Sequence, residues 1–196
     1  MGEAHARIIE KLIREKLADK PVRLLEWGCG AGRILRHLNN VNDWDVNGVD
    51  VDQESVSWCK KYLPEMNVSL SEFSPPLCFE TESFDVVYHY SVWTHLSNEM
   101  IEIWVKELKR VLKPGGIMIA TTHGDAYLPM LLSEEQQLFK RGEIVSRNQI
   151  TEGHKYFLSF HPKSKMKELL SQCFSSVEHW PASPTSVIPQ DIWRLS

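Results

Sequence analysis

Three glycines at alternate positions, Gly28, Gly30 and Gly32, end an apolar run that begins at Val22. None carries a Cβ, so the chain turns tightly there and its backbone can approach a ligand closely. A turn of this kind after a strand is where open α/β sheets bind nucleotide-like molecules. Glu26 stands at the strand end, with its carboxylate expected on the same crevice. A second acid, Asp50, ends the next apolar run, 18 positions after Gly32, close to the ~20-residue spacing at which an acid meets a ribose. A carboxylate there accepts hydrogen bonds from both vicinal hydroxyls; the competing role for Asp50 is a helix cap. Two histidines farther on, His123 and His161, have the residue type for a general base, because imidazole titrates near neutral pH. Each is also legible as a packed structural histidine.

The elements that must position these residues follow from periodicity and punctuation. Residues 3–19 repeat Ile8, Ile9, Leu12, Ile13 and Leu17 at helical spacing. Strands are expected at Val22–Trp27, Trp44–Val51, Met66–Leu70, Ser83–Tyr90 and Ile117–Thr122, with helices at Arg33–Leu38, Glu54–Tyr62 and Met100–Leu112 between them. Asp52 has the type and place of an N-cap for the helix from Glu54. Pro75-Pro76 excludes helix from the loop Ser71–Glu82. Lys113-Pro114-Gly115-Gly116 reads as a helix stop and turn.

Beyond His123 the pattern predicts a helix over Ser133–Lys140, capped by Ser133 with Gln136. Strand-like composition covers Glu143–Arg147 and Lys155–Phe160, a helix follows at Ser164–Cys173, and two last strands at Phe174–Trp180 and Asp191–Leu195. Pro181, Pro184 and Pro189 populate the connection between those two. Residues 124–160 are too long for a plain αβ connection, so they read as an insertion on the substrate side of one domain spanning 1–196.

A dinucleotide fingerprint needs Gly or Ala in the sixth place of G-x-G-x-x-G, and counting from Gly28 that place holds Arg33. The run E-x-G-x-G-x-G, followed by Gly48-Val49-Asp50, Ser83-Phe84-Asp85-Val86-Val87 and Leu112-Lys113-Pro114-Gly115-Gly116, instead resembles the motifs of class I S-adenosylmethionine-dependent methyltransferases, in order, from about Leu24 to Thr122. The resemblance implies an α/β fold: a three-layer Rossmann-like sandwich on a mostly parallel seven-stranded sheet with an antiparallel C-terminal hairpin. It implies S-adenosylmethionine as cofactor, held by Glu26, Gly28, Cys29, Gly30, Gly32, Asp50, Val51, Glu72, Phe73, Tyr90 and Ser91. Within that set the glycine turn cradles the methionine part, and a backbone carbonyl at Tyr90 or Ser91 receives its ammonium. The adenine contact departs from the family pattern: the place of the usual acid falls near Phe73 or Ser74, with Glu72 one residue off.

Thr121-Thr122-His123-Gly124 and Phe160-His161 resemble a subgroup of small methyltransferases often found near sugar-modifying enzymes. The expected reaction is therefore methyl transfer to a small molecule, a sugar or other metabolite hydroxyl. His123 and His161 are the candidate bases; His95 reads either as a base near the transferred methyl or as a packed histidine at the start of the next helix, and Trp93, Tyr127 and His154 are further residues that could shape the pocket. The alternative is a cofactor-binding protein of this fold that works through a protein partner.

Bulk properties narrow the classes. Lys and Arg total 22 against 26 Asp and Glu, a formal charge of −4, which gives no electrostatic case for nucleic acid. The sequence holds no run of about 18 apolar residues, so no membrane span is expected. The four cysteines are scattered without a C-x-x-C, so neither a metal site nor a disulfide framework is expected and a cytoplasmic location is. Composition does not fix the oligomeric state.

Overall fold

In a computed structural model the described residues are 1–147, 151–153, 156–183 and 185–196. They form two compact units: Met1–Tyr90 with Glu107–Ile119, and Ser91–Lys106 with Ala120–Ser196. The candidate His154, the expected strand start at Lys155, and Pro184 lie outside the described residues.

The first unit is built on strands β1 (Val22–Trp27), β2 (Trp44–Asp50), β3 (Asn67–Leu70), β4 (Phe84–Tyr88) and the first part of β5 (Leu112–Thr122). β1 is central: Leu24 and Leu25 are fully buried and Trp27 nearly so, the continuous apolar reading of a parallel strand covered on both faces. It pairs in parallel with β2, Leu24 opposite Val46 and Trp27 opposite Val49, and with β4, Glu26 opposite Tyr88. The strand order β3-β2-β1-β4-β5-β9-β8 reverses direction at β1 and β4. The two chain segments leaving adjacent carboxyl ends there go opposite ways, opening the crevice where α/β sheets take ligands.

Helices α1 (Gly2–Leu17), α2 (Leu35–Leu38) and α3 (Gln53–Tyr62) belong to this unit. α2 is shorter than expected because Arg33 and Ile34 stay in the turn that opens at Gly28. Asp52 caps α3 as expected, its carboxylate accepting from the Glu54 and Ser55 amides at 3.2 Å each. Helix α4 (Asn98–Val111) precedes β5.

One expectation about the connection to β5 is corrected. Lys113–Gly116 is not a turn ahead of the strand; β5 already begins at Leu112. The pairing moves from Phe84–Leu112 to Val86–Ile117, so the extra residues bulge within the strand. Gly115 at φ 77° takes up the bend, and Lys113 Nζ donates to both oxygens of Asp85 at 2.9 Å.

The second unit holds the end of β5, an antiparallel hairpin of β6 (Val145–Arg147) and β7 (Leu158–Phe160), helices α5 (Ser133–Lys140) and α6 (Lys163–Ser171), and the antiparallel pair β8 (Val177–Trp180) and β9 (Asp191–Leu195). Leu131, Phe139, Val145 and Phe160 form a small core of their own in residues 124–160. The cap of α5 differs from the expected one. Glu135, not Gln136, closes it, accepting the Leu132 amide at 2.7 Å while Arg147 donates twice to the same carboxylate. The arginine arrives from β6 and selects the acid, a tertiary effect that a local capping rule does not contain.

Candidate functional site

The glycine turn folds as its residue types demand. Gly28, Gly30 and Gly32 all have positive φ, at 76°, 51° and 67°, a region costing an L-residue roughly 1–2 kcal/mol. The amides of Gly28 and Cys29 both donate to the Val49 carbonyl, at 2.8 and 3.0 Å, which stitches the turn to the end of β2. A Cβ on Gly30 would meet nothing within 4 Å, whereas one on Gly32 would stand 3.0 Å from Met66. Gly30 therefore borders open space and Gly32 borders the core.

Asp50 acts on this turn directly. Its Oδ2 accepts the Gly30 amide at 2.6 Å and its Oδ1 accepts the Asp52 amide at 2.8 Å. The carboxylate is thus fixed across the crevice from the turn, and each oxygen keeps acceptor capacity. Val51 beside it is 46% exposed, an apolar surface at the same edge. Ser71 donates its amide to the Asp50 carbonyl at 2.9 Å, so the loop carrying exposed Glu72 and half-buried Phe73 starts at this edge as well.

Glu26 is 3% exposed, and its Oε2 has no hydrogen-bond partner. Burial pushes its carboxyl up to about 8; the Tyr88 hydroxyl, the Arg33 guanidinium and the Leu35 backbone pull the other way, and the Asp50 charge pushes further up. A buried carboxyl oxygen without a partner costs of order 1–3 kcal/mol, a debt that a cationic ligand would relieve. Burial also raises the Cys29 thiol well above its ordinary range, so Cys29 contributes backbone and packing here and no thiolate.

Arg33 and His5 were not legible as site residues. Arg33 sits 5.0 Å over the Tyr90 ring and donates to His5 Nδ1 at 2.9 Å. The His5 and Tyr90 rings stack at 4.8 Å. The start of α1 packs on the turn itself, since a Cβ on Gly2 would clash with the Arg33 carbonyl. The α1 periodicity marked a buried face and said nothing of which partner it met.

In the second unit, His123 is half-buried, its ring tilted against Tyr127 at 4.2 Å and Phe160 at 5.6 Å between centroids. Burial lowers its imidazole to about 4, with the Ser159 backbone opposing and His95 adding to the fall. His161 is fully buried, and burial followed by the His123 ring lowers it to about 3. Its amide donates to the His123 carbonyl at 2.7 Å. The structure thus brings the two histidines together but makes both weak bases, and seals one of them. His95 is tied through Nδ1 to the Phe157 carbonyl at 2.8 Å, and Trp93 is fully buried. Tyr127 donates its hydroxyl to the Pro189 carbonyl at 2.9 Å. Among the described residues no group of three or more His, Cys, Asp or Glu is placed to hold a metal ion. No helix among them is long and apolar enough to cross a membrane.

Residues 25–120 match the model of a methyltransferase domain, the stretch that contains the glycine turn, Asp50 and the β4–α4–β5 unit. The chain belongs to the class I S-adenosylmethionine-dependent methyltransferases. S-adenosylmethionine is the cofactor of that family. Among sequence relatives, a tRNA N(3)-cytidine methyltransferase METTL2 of Gallus gallus is 26% identical over 164 residues, covering 76% of this chain and 42% of the relative. A ubiquinone biosynthesis O-methyltransferase of Chelativorans sp. is 27% identical over 115 residues, covering 56% and 44%. The chain thus spans less than half the length of either. DesVI of Streptomyces venezuelae superposes with a TM-score of 0.70 over 99% of this chain and 91% of its own, at 15% identity, a likeness of fold.

The geometry fits the cofactor. Glu26 offers a buried carboxyl oxygen in want of a cation, Gly30 offers open space at the turn, and Asp50 offers a fixed pair of acceptors.

Proposed function

We propose that this chain transfers the methyl group of S-adenosylmethionine to a small-molecule acceptor, a hydroxyl of a sugar or another metabolite. The observation that carries the reading is the unpartnered buried oxygen of Glu26 beside the open glycine turn. S-adenosylmethionine supplies a methyl on a sulfonium, already a good leaving group, so the chain's work is alignment and exclusion of water. Gly28, Cys29, Gly30 and Gly32 line the methionine end with backbone, and Glu26 takes its ammonium together with the Tyr90 and Ser91 backbone. Asp50 accepts from the ribose hydroxyls; Val51, Glu72 and Phe73 border the base. His123, lowered to about 4, serves the acceptor side by shape and hydrogen bonding more than by taking up a proton, and the sealed His161, lowered to about 3, holds the His123 carbonyl through its amide.

The preference for a small acceptor over RNA rests on charge. A formal −4 repels a phosphate backbone, whose binding requires clustered Lys and Arg.

A thermal melt with S-adenosylmethionine, S-adenosylhomocysteine and NAD tests the cofactor. Ligand at about 100 times its dissociation constant adds roughly 2.7 kcal/mol, a rise on the order of 5–10 °C. Methyl transfer from a labelled cofactor to hydroxylated metabolites, run beside bulk tRNA, tests the acceptor. A shift with NAD alone overturns the cofactor reading; label in tRNA and in no small molecule overturns the acceptor class.

A further inference from the structure

Gln190, 5% exposed in the connection before β9, reaches three residues at once. Its Oε1 lies 2.6 Å from Thr121 Oγ1, and its Nε2 lies 2.8 Å from Ser91 Oγ and 3.1 Å from His123 Nε2. Ser91 in turn donates its amide to Thr121 Oγ1 at 2.8 Å, while Thr94 Oγ1 lies 2.8 Å from Ser91 Oγ and donates to the Ser91 carbonyl at 2.5 Å.

The direction of every bond is fixed by counting hydrogens. Thr94 has one hydroxyl hydrogen and uses it on the Ser91 carbonyl. Ser91 Oγ must then donate to Thr94, which leaves it an acceptor toward Gln190. Gln190 therefore turns its NH2 to Ser91 and its carbonyl to Thr121, whose hydroxyl donates to it. The same NH2 meets His123 Nε2, so that nitrogen is an acceptor and the neutral ring carries its proton on Nδ1. Nδ1 itself is buried without a hydrogen-bond partner, and the Ser159 backbone is the neighbour that favours a proton on this ring.

The network encloses a strained residue. Ser91 sits at φ 64°, a left-handed conformation at a non-glycine position, which an L-residue keeps only where its surroundings hold it. The peptide plane between Tyr90 and Ser91 is rigid, so pinning the Ser91 amide on Thr121 also sets the direction of the Tyr90 carbonyl. Gln190 holds Thr121 in the orientation that receives that amide.

We propose that Gln190 is a positioning residue for the cofactor's methionine end: through Thr121 and Ser91 it aims the Tyr90 carbonyl, and it locks His123 as the Nδ1–H tautomer. This rests on the methyl-transfer reading above. His123 is then the third anchor of Gln190 and not the base of the reaction.

Long-range proton–nitrogen NMR of the histidine rings at pH 7 tests the lock, with His123→Ala assigning the His123 signals. The expected wild-type pattern is Nδ1–H. Gln190→Glu replaces the NH2 donor by an acceptor, so the His123 signals move to a ring protonated on Nε2. Titration of S-adenosylhomocysteine tests the positioning role. Gln190→Leu is expected to weaken binding about tenfold or more, with the folded far-ultraviolet spectrum kept; Gln190→Glu, which keeps the Thr121 bond, loses less. An Nε2–H tautomer in the wild-type chain overturns the network's polarity, and equal affinity in Gln190→Leu overturns the positioning role alone. A wild-type chain that binds no S-adenosylhomocysteine sinks the methyl-transfer reading, and this role with it.

Discussion

Replacing Glu26 by Gln separates the charge of this residue from its shape. In the free chain burial holds the Glu26 carboxyl near 8, so at pH 7 about one molecule in ten is ionised. The ligand's ammonium is paired by the carboxylate form, so wild-type binding at low pH carries the cost of ionising Glu26. That cost is about 1 kcal/mol at pH 7, about 3 at pH 6, and vanishes above pH 8. The ligand's own ammonium also titrates near pH 8, so the informative quantity is the ratio of dissociation constants, Glu26→Gln over wild type. By isothermal titration with S-adenosylhomocysteine, that ratio should rise nearly tenfold from pH 6 to pH 7, rise more slowly to pH 8, and level off by pH 9. Stability changes in the opposite sense. A carboxyl raised in the folded state contributes stability that is complete below about 4.5 and is lost as pH rises through about 8, at most about 5 kcal/mol. The melting temperature of Glu26→Gln should therefore gain on wild type across that window. A ratio that stays flat between pH 6 and 9 refutes the reasoning, because Glu26 would then be already ionised in the free chain or uninvolved in the ligand.

Further outcomes are expected elsewhere in the chain. Asp50→Ala removes the acceptors of the Gly30 and Asp52 amides as well as the proposed ribose contact; S-adenosylhomocysteine affinity should fall at least 100-fold by titration, while circular dichroism stays folded. Gly48→Ala puts a Cβ 2.7 Å from Leu35 and 2.9 Å from Cys29 Sγ, overpacking worth about 1–3 kcal/mol, read as a lower urea midpoint together with weaker cofactor binding. Glu135→Ala uncaps α5 and frees Arg147, a loss on the order of 1–2 kcal/mol. Because the Arg147 guanidinium holds the Glu135 carboxyl below its usual range, this contribution is present above the ordinary carboxylate pKa and fades as pH falls through the lowered one, so wild type and variant should converge in acid melts. The pH–rate profile of methyl transfer should show no inflection between pH 5.5 and 8 that His123→Gln abolishes, since burial places the His123 transition near 4.

Much of the fold was legible along the chain because its signals are local. β1 and β9 were bounded to the residue, Asp52 capped α3, and the three glycines took the left-handed conformations that only their residue type adopts cheaply. Alternate glycines, a strand-end acid and a second acid 18 positions on are properties of the sequence whatever it packs against. What sequence could not supply was the balance of burial and partners at each ionisable group. Glu26 and Asp50 are both strand-end acids, yet the fold buries one with an unpartnered oxygen and ties the other to two backbone amides. His123 and His161 have the residue type of a base, and only their packing makes them weak ones. Gln190, Arg33 and His5 carry no periodic or motif signal; their importance comes from residues 28 to 99 positions away that folding brings within hydrogen-bond reach. The sequence by itself determined the order of strands and helices and the glycine turn, since those follow from local conformational preference and hydrophobic period. Tertiary structure decided protonation, hydrogen-bond polarity and reach, because desolvation and pairing depend on distances that no local pattern encodes.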